Sequence, residues 1–578
     1  MIPLGNLNEV GADAFTAALG GIFEHSPWVP RAAAEMRPFG SVSDLHAALC
    51  SVVDAAGEDA QMKLIRAHPE LASKAAIAGE LTAESSREQR GAGLQSCTPQ
   101  QHERLQTLNR EYGTRFGFPF IIAVKGHTPD SIIESMRRRF GNDAKAEVAT
   151  ALQQIARIAR FRLEELITDE PGNEILGRAD ELARHSDEVS GLTCACFTPA
   201  HRATALQIRD YMLAAGLEAT IDAIGNVVGR CRGISHPERI LIAGSHYDTV
   251  ANAGRYDGRL GVLLPLSVLA QLRREQIRLP YSVEIIAFSD EEGLRFRSTF
   301  LGSSAVAGCF DPELLSATDS NGQTLRQVLQ QAGHDVAQIP ALARDPSTTL
   351  GFIEVHIEQG PVLLDGGNAL GVVTGIAGAR RLLLQVEGLA GHAGTVPMPL
   401  RRDAAAGAAE IVLQVERICR DMPGVVGTVG KLQVPRGAVN VIPGECDLSI
   451  DLRSADDALR IEALARIEAA IDSIARQRNL RVTSRVALDT TATTCAAGLR
   501  EQLAASVART TGGPVTLLPS GAGHDAIMMS RLTDVAMLFV RCGNGGISHH
   551  PDESLAAADA SLAAAAFRDF LLNFKVNG

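Results

Sequence analysis

RILIAGSHYDTV, residues 239 to 250, and YSVEIIAFSDEEG, residues 281 to 293, are short apolar runs that each stop abruptly in polar residues. An apolar helical stretch, Leu260 to Leu272, lies between them. Runs of this kind read as buried parallel strands joined by a crossover helix, because a strand covered on both faces has no solvent side to alternate toward. In open α/β sheets ligands bind off the carboxyl ends of the strands. Chemistry is therefore expected where the two runs end, at Ser245-His246-Tyr247-Asp248 and Asp290-Glu291-Glu292-Gly293.

Before these strands, residues 1–168 read as helix after helix, with start signals at Thr98-Pro99 and Thr128-Pro129-Asp130, an N-cap followed by proline at the first helical position. The last of these helices carries Val148, Leu152, Ile155, Ala159, Leu163 and Leu166 along one face. TDEPGNE, residues 168 to 174, is polar, contains Pro-Gly and predicts a linker over 169–178. From 379 to 494 the order strand, helix, two strands, helix, strand predicts a small α+β sandwich, inserted into an α/β unit formed by 179–378 and 495–578.

A chain of 578 residues exceeds one core and suggests three or four domains. The net charge of −12 leaves no electrostatic footprint for nucleic acid or for an anionic membrane, so small molecules or proteins are the expected partners. MIPLGNLNEVGADAF has neither a basic segment nor an apolar one after it, unlike a signal peptide. The longest apolar run, LGVLLPLSVLAQL, is too short to span a bilayer. The ten cysteines show no zinc-finger or disulfide-scaffold spacing; Cys194 and Cys196 read as reduced thiols, and the expected location is the cytoplasm.

Asp257-Gly258 follows His246 by eleven residues; His356 lies in FIEVHIEQG, and His549-His550 in GISHHPDES. Singly these are ordinary turn and surface patterns. Together they supply the imidazoles and carboxylates that hold borderline divalent metals. Two metals about 3.5–4 Å apart need a shared ligand, and Asp257 is the natural bridge. Consecutive side chains on an extended segment point to opposite sides, so one of Glu291 and Glu292 can coordinate while the other serves as general base. By the same geometry at most one of His549 and His550 faces the site.

SHYDTVANAGRYDG, FSDEEGLRF, FIEVHIEQGPVL, GLAGHAGTVPM, NVIPGECDLSIDLRS, SGAGHDAIMM and NGGISHHP, in this order, resemble the aminoacylase and carboxypeptidase-like metallohydrolases. The nearest branch holds allantoate amidohydrolases, N-carbamoyl-L-amino-acid hydrolases and β-ureidopropionases, and the likeness spans about residues 180 to 578. It implies an α/β two-metal aminopeptidase-like catalytic domain whose inserted ferredoxin-like domain is a lid that also pairs subunits into a homodimer. One metal would be held by His246, Asp257 and His356 and the second by Asp257, Glu292 and His549, with Glu291 as general base. Manganese is favoured, with zinc or cobalt as alternatives. Gln359, His392, Asn440, Arg453 and His524 match substrate-contacting positions: Arg453 as a bidentate fork for a carboxylate, His392 as an oxyanion donor. Departures from the pattern are Ala253-Gly254, where a double glycine is frequent, and Cys194-Ala-Cys196, which replaces a stretch often carrying arginine.

In the helical region, AHPELASK (67 to 74) puts His68 at a helix end, and SSREQ (85 to 89) fits the capping box S-x-x-E, so on spacing alone Glu88 reads as a cap. AHPELASK, LTAESSREQRGAGL, LNREYGTRFGFPFIIAVKGHT and ALQQIARIARFRLEEL, over residues 8 to 166, resemble 2-oxo-4-hydroxy-4-carboxy-5-ureidoimidazoline (OHCU) decarboxylase. The likeness implies a cofactor-free reaction to (S)-allantoin: His68 as acid/base, Glu88 orienting the substrate hydroxyl or ureido group, and Arg162 neutralising an anionic oxygen.

One domain would make allantoin and the other would open ureides, which raises allantoate above other carbamoyl substrates. The expectation is a bifunctional purine-catabolism enzyme that forms (S)-allantoin and hydrolyses allantoate to ureidoglycine, ammonia and carbon dioxide. The alternative is an N-carbamoyl-L-amino-acid, ureidoglycolate or β-ureidopropionate hydrolase, with the helical region active or serving only as a docking module.

Overall fold

The computed structural model describes residues 2–39, 41–72, 97–125, 127–168 and 170–575, together with Ser85, Glu88 and Leu94. Whether SSREQ caps a helix lies outside these residues. The N-terminal region is helical, as its sequence predicts. Thr98 and Thr128 cap their helices through full capping boxes with proline in the first turn, and helix α1 (Ala144–Leu166) is capped by the Asp143 side chain. Ile155, Ala159 and Leu163 are buried along α1, and Val148, Leu152 and Leu166 pack against the same core. The stretch from Phe118 to Val124 is buried without regular structure. Its backbone finds side-chain partners instead: Gln154 accepts from the Ala123 N–H at 3.0 Å, and Arg139 donates to the Ile121 carbonyl at 2.6 Å. Ile2–Pro3 pairs in parallel with Ile167–Thr168, tying the two ends of the region together.

The expected linker is a helix. α2 (Pro171–Leu182) starts with proline at its first position and buries Ile175, Arg178, Ala179 and Leu182. Pro-Gly here is a helix start that allows close approach: a Cβ on Gly172 would lie 1.9 Å from the Ala557 carbonyl oxygen of the C-terminal helix. Buried ion pairs join α1 to α2, Arg160 to Glu181 at 3.0 Å and Glu164 to Arg178 at 2.9 Å, with Arg178 also 2.7 Å from Glu174. Polarity that suggested a solvated tether therefore serves a buried ionic seam, whose members are costly to strip of a partner.

Beyond it stands a nine-stranded sheet whose centre is parallel. β1 (His236–His246) is followed by helix α3 (Leu260–Arg274) and by β2 (Tyr281–Phe288), its parallel neighbour. β3 (Thr349–Ile357) pairs in parallel with β1 on the other side. Residue for residue β2 is buried, as a strand covered on both faces must be. The inserted region runs β4 (Gly378–Glu387), α4 (Ala404–Arg420), β5 (Val425–Gln433), β6 (Glu445–Ser454), α5 (Asp457–Gln477) and β7 (Arg481–Thr490). Its four strands form an antiparallel sheet in the order β5-β6-β4-β7, closed on one side by α4 and α5. The chain then rejoins the large sheet through β8 (Val535–Val540), parallel to β3.

Candidate functional site

His246 is the last residue of β1 and His356 the penultimate residue of β3, so parallel register sets both imidazoles at the carboxyl edge of the sheet. Asp257 comes from the loop between β1 and α3. The glycine after it, Gly258, has φ 66°, and a Cβ there would lie 2.5 Å from the His246 ring, an approach that only glycine permits. Glu291 and Glu292 follow β2, and His549 lies in the loop after β8.

Asp257 Oδ1 is 3.1 Å from His356 Nε2 and 3.6 Å from His246 Nε2, while its Oδ2 is 3.0 Å from His549 Nε2, itself 3.2 Å from Glu292 Oε1. One carboxylate thus turns an oxygen toward each of two donor sets, His246/Asp257/His356 and Asp257/Glu292/His549, each gathered within 4.8 Å. His356 Nδ1 donates to the Ile357 carbonyl at 2.8 Å and its Nε2 accepts from the Gly258 N–H at 3.1 Å. His246 Nδ1 donates to the Asp248 carbonyl at 3.1 Å. Neither Nε2 then carries a proton, and both lie within 3.6 Å of Asp257 Oδ1, which is buried and accepts no hydrogen bond. Acceptors gathered around one another in a buried site are satisfied by a cation between them, and this donor set suits a divalent ion.

Charge in the cluster agrees. Burial would raise the Asp257 carboxyl, but the imidazoles of His246, His356 and His549 gathered around it hold it well below the usual carboxylate range. Hydrogen bonds to Asp257 and Glu292 push His549 up to about 10. Burial, helped by Glu292, Asp525 and Asp248 and opposed by His246, drives Glu291 well above its ordinary value. His550 turns away, its Nδ1 accepting from the Asp552 N–H at 3.1 Å. His549→Ala is accordingly expected to lower hydrolysis by more than about 100-fold, the upper end for outer-shell partners, and to cost bound metal. His550→Ala should leave both rate and metal content near wild type. Atomic-absorption metal counts and ureide assays on the two variants read the contrast, and equal losses would contradict it.

Both adjacent glutamates face the cluster, since His246, Glu291 and Glu292 also gather within 4.8 Å. Strand alternation does not apply to them because β2 ends at Phe288 and Asp290 takes φ 58°. Gln359 and His549 share this left-handed backbone, at φ 57° and 54°, a conformation that tends to gather at functional sites.

Three buried carboxylates absent from the sequence-based set hold the loops in place. Asp248 accepts from the N–H groups of Glu291 and Glu292 at 3.1 and 3.2 Å. Glu354 accepts from Ser245 Oγ at 2.7 Å and from the Ala526 N–H at 2.9 Å, joining the ends of β1 and β3 to the segment after His524. Glu553 accepts from the N–H groups of Tyr256 and Asp257 at 2.7 and 3.3 Å, and Ser548 Oγ lies 3.0 Å from it. The available signal was a carboxylate inside the apolar strand FIEVHI, and another four residues beyond His549.

The expected substrate contacts fall into two groups. Gln359 Nε2 donates to Asp257 Oδ2 at 3.0 Å, and the His524 ring sits 4.5 Å from that of His356 with its Nε2 2.7 Å from Ser520 Oγ. Arg453 donates to the Gly521 carbonyl at 2.6 Å, in the loop that carries His524, but its fork is engaged by Asp451 at 2.9 and 3.3 Å rather than open to a carboxylate. His392 and Asn440 lie together and exposed on a small two-stranded arm of the inserted domain. Among the described residues neither makes a hydrogen bond or ion pair with the cluster.

In the helical domain His68, Ser85, Glu88 and Arg162 line one cavity with Phe120, Ile122, Val124 and Ile158. His68 Nδ1 donates to the Leu64 carbonyl at 3.0 Å, and burial lowers its pKa, so the expected acid/base role would fall to Nε2. Arg162, expected to neutralise an anionic oxygen, is engaged by protein carboxylates: Glu88 takes its Nε and Nη2 at 2.8 and 3.0 Å and Glu24 takes Nη1 at 3.0 Å.

Two parts emerge: a helical domain around a His–Glu–Arg cavity, and an α/β domain, with its inserted domain, whose strand ends carry a donor set suited to divalent metal. Residues 8–164 match OHCU decarboxylase and residues 242–573 match peptidase family M20/M25/M40. The chain belongs to the M20/M25/M40 family and carries an OHCU decarboxylase domain at its N-terminal end. It is 39% identical to an allantoate deiminase of Arabidopsis thaliana over 69% of this chain and 82% of that one. Against an N-carbamoyl-L-amino acid amidohydrolase of Geobacillus stearothermophilus the figures are 37%, 68% and 96%. A solved amidase of the hydantoinase/carbamoylase family from Burkholderia multivorans superposes with TM-score 0.65 at 31% identity, over 69% of this chain and 97% of that one.

Proposed function

We propose that this chain is a bifunctional enzyme of urate breakdown, decarboxylating OHCU to (S)-allantoin and hydrolysing allantoate to ureidoglycine, ammonia and carbon dioxide. The observation that carries the reading is the joining, on one chain, of an OHCU decarboxylase domain to a hydrolase resembling an allantoate deiminase. His246, Asp257 and His356 hold one divalent ion and Asp257, Glu292 and His549 the other, manganese in preference to zinc or cobalt. Such ions lower the pKa of water and polarise a carbonyl. Glu291 takes the proton of the attacking water and returns it to the departing nitrogen, a task suited to a buried carboxyl with a raised pKa. Asp248, Glu354 and Glu553 keep the loops from rearranging. The inserted domain pairs two subunits, in keeping with the exposed apolar Val426, Leu432 and Val486 on its strands. No described helix is long and apolar enough to cross a membrane, and the cytoplasm is the proposed location.

In the helical domain His68 Nε2 supplies the proton that quenches the carbanion left by carbon dioxide, with Glu88 fixing the ureido or hydroxyl group. His68→Asn should abolish accelerated (S)-allantoin formation while leaving allantoate hydrolysis at the wild-type rate; circular dichroism of freshly generated urate-oxidation product reads the first and ammonia release the second. Loss of both activities together would undo the division of labour. A second reading, hydrolysis of N-carbamoyl-L-amino acids, is favoured by the near-complete coverage of the Geobacillus relative. Ammonia release from allantoate, N-carbamoyl amino acids and ureidoglycolate by chelated and metal-reconstituted protein decides between them: turnover of a carbamoyl amino acid with allantoate untouched would select the second.

A further inference from the structure

A guanidinium carries five N–H donors in a rigid fork, and Arg162 donates from all of its nitrogens inside the helical domain. Nε and Nη2 reach Glu88 at 2.8 and 3.0 Å, and Nη2 also reaches Ser85 Oγ at 3.2 Å. Nη1 donates to the Gly21 carbonyl at 2.9 Å and to Glu24 Oε2 at 3.0 Å. Ser85 Oγ in turn donates to Glu24 at 3.1 Å. Arg162 and Glu24 are both buried. Two carboxylates thus engage this one guanidinium, whose five N–H groups all have protein partners.

Resting on the decarboxylase reading, we propose that Glu24 is a positioning residue of that site. By occupying Nη1 it withholds Arg162 from the carboxylate the substrate loses, so that Arg162 serves to hold Glu88. The carboxylate then lies against the apolar wall of Phe120, Ile122, Val124 and Ile158. Chemistry favours this division. The bond between ring carbon and carboxylate breaks, neutral carbon dioxide leaves, and the electron pair passes into the ring until a proton from His68, replaced from solvent, closes the new C–H bond. Charge departs from the carboxylate as the reaction proceeds. A guanidinium clamped on it would stabilise the ground state more than the transition state and slow the step. An apolar wall has the opposite effect, and Glu24 keeps the nearest cation off it.

The test uses the full chain with Glu24→Gln, which retains an acceptor for Nη1 but removes the second negative charge. The expected result is a split, with KM for OHCU falling several-fold while kcat falls about ten-fold or more. Glu24→Asp, which restores the charge, should recover kcat. The chain's one tryptophan, Trp28, lies four residues from Glu24, so its fluorescence can follow titration with oxonate, a cyclic ureide carboxylate, and with neutral allantoin. Glu24→Gln should bind oxonate more tightly and allantoin unchanged. Parallel loss of kcat and rise of KM, or equal affinity of both proteins for oxonate, would overturn the proposal. Should wild-type protein fail to accelerate (S)-allantoin formation, the decarboxylase reading falls, while the oxonate comparison still decides whether Glu24 withholds the guanidinium. Allantoate hydrolysis on the same preparations reports that the chain has folded.

Discussion

Asp257→Asn should remove both metal ions at once and lower hydrolysis by well over about 100-fold, more than the loss of an outer-shell partner. The amide keeps the size of the carboxylate but replaces one oxygen with a donor. In the present geometry Oδ1 faces the Nε2 atoms of His356 and His246 at 3.1 and 3.6 Å, and Oδ2 faces that of His549 at 3.0 Å. Whichever way the amide turns, one donor set meets an NH2 group in place of an oxygen and neither keeps an anionic shared ligand. The three imidazoles lose the anion they gather around, which together with Glu292 raises the pKa of His549 to about 10. Metal analysis of the purified variant, with formation of (S)-allantoin as a control from the other domain, checks the result. A variant that retains two ions per chain would show that Asp257 does not bridge.

Glu291→Gln should have an effect of similar size by another route. An amide cannot take a proton from water, and removal of a positioned general base costs about 10²–10⁴-fold. Metal content should hardly change, because Glu292 rather than Glu291 pairs with His549. Asp248 would still anchor the turn through the backbone N–H groups at 291 and 292. The two variants therefore separate, with activity and metal lost together at 257 and activity alone at 291. Loss of metal at 291 would make that residue a ligand and require another base.

Much of this was legible in the chain. The abrupt ends of RILIAGSHYDTV and YSVEIIAFSDEEG located the site, because a strand buried on both faces must be apolar until it reaches the carboxyl edge, where the polar residues begin. Capped helix starts at Thr98 and Thr128 were equally plain, being local interactions between residues three apart. PGNE misled for the converse reason. Whether a polar segment is a tether or a helix with a buried ionic seam depends on Glu164, Glu181's partner Arg160 and Ala557, which lie outside the segment.

By itself the sequence determined the order of domains, the strand ends that bear the chemistry and the kinds of ligand available there. Tertiary structure alone turned both Glu291 and Glu292 inward through a left-handed Asp290, brought Glu553 beneath Asp257, and set Glu24 on Arg162. Periodicity and local hydrogen bonds act over a few residues and leave their mark in the chain. A ligand's direction or a cation's partner is settled by contacts between distant segments, 296 positions apart at Glu553 and Asp257, and these exist only once the chain has folded.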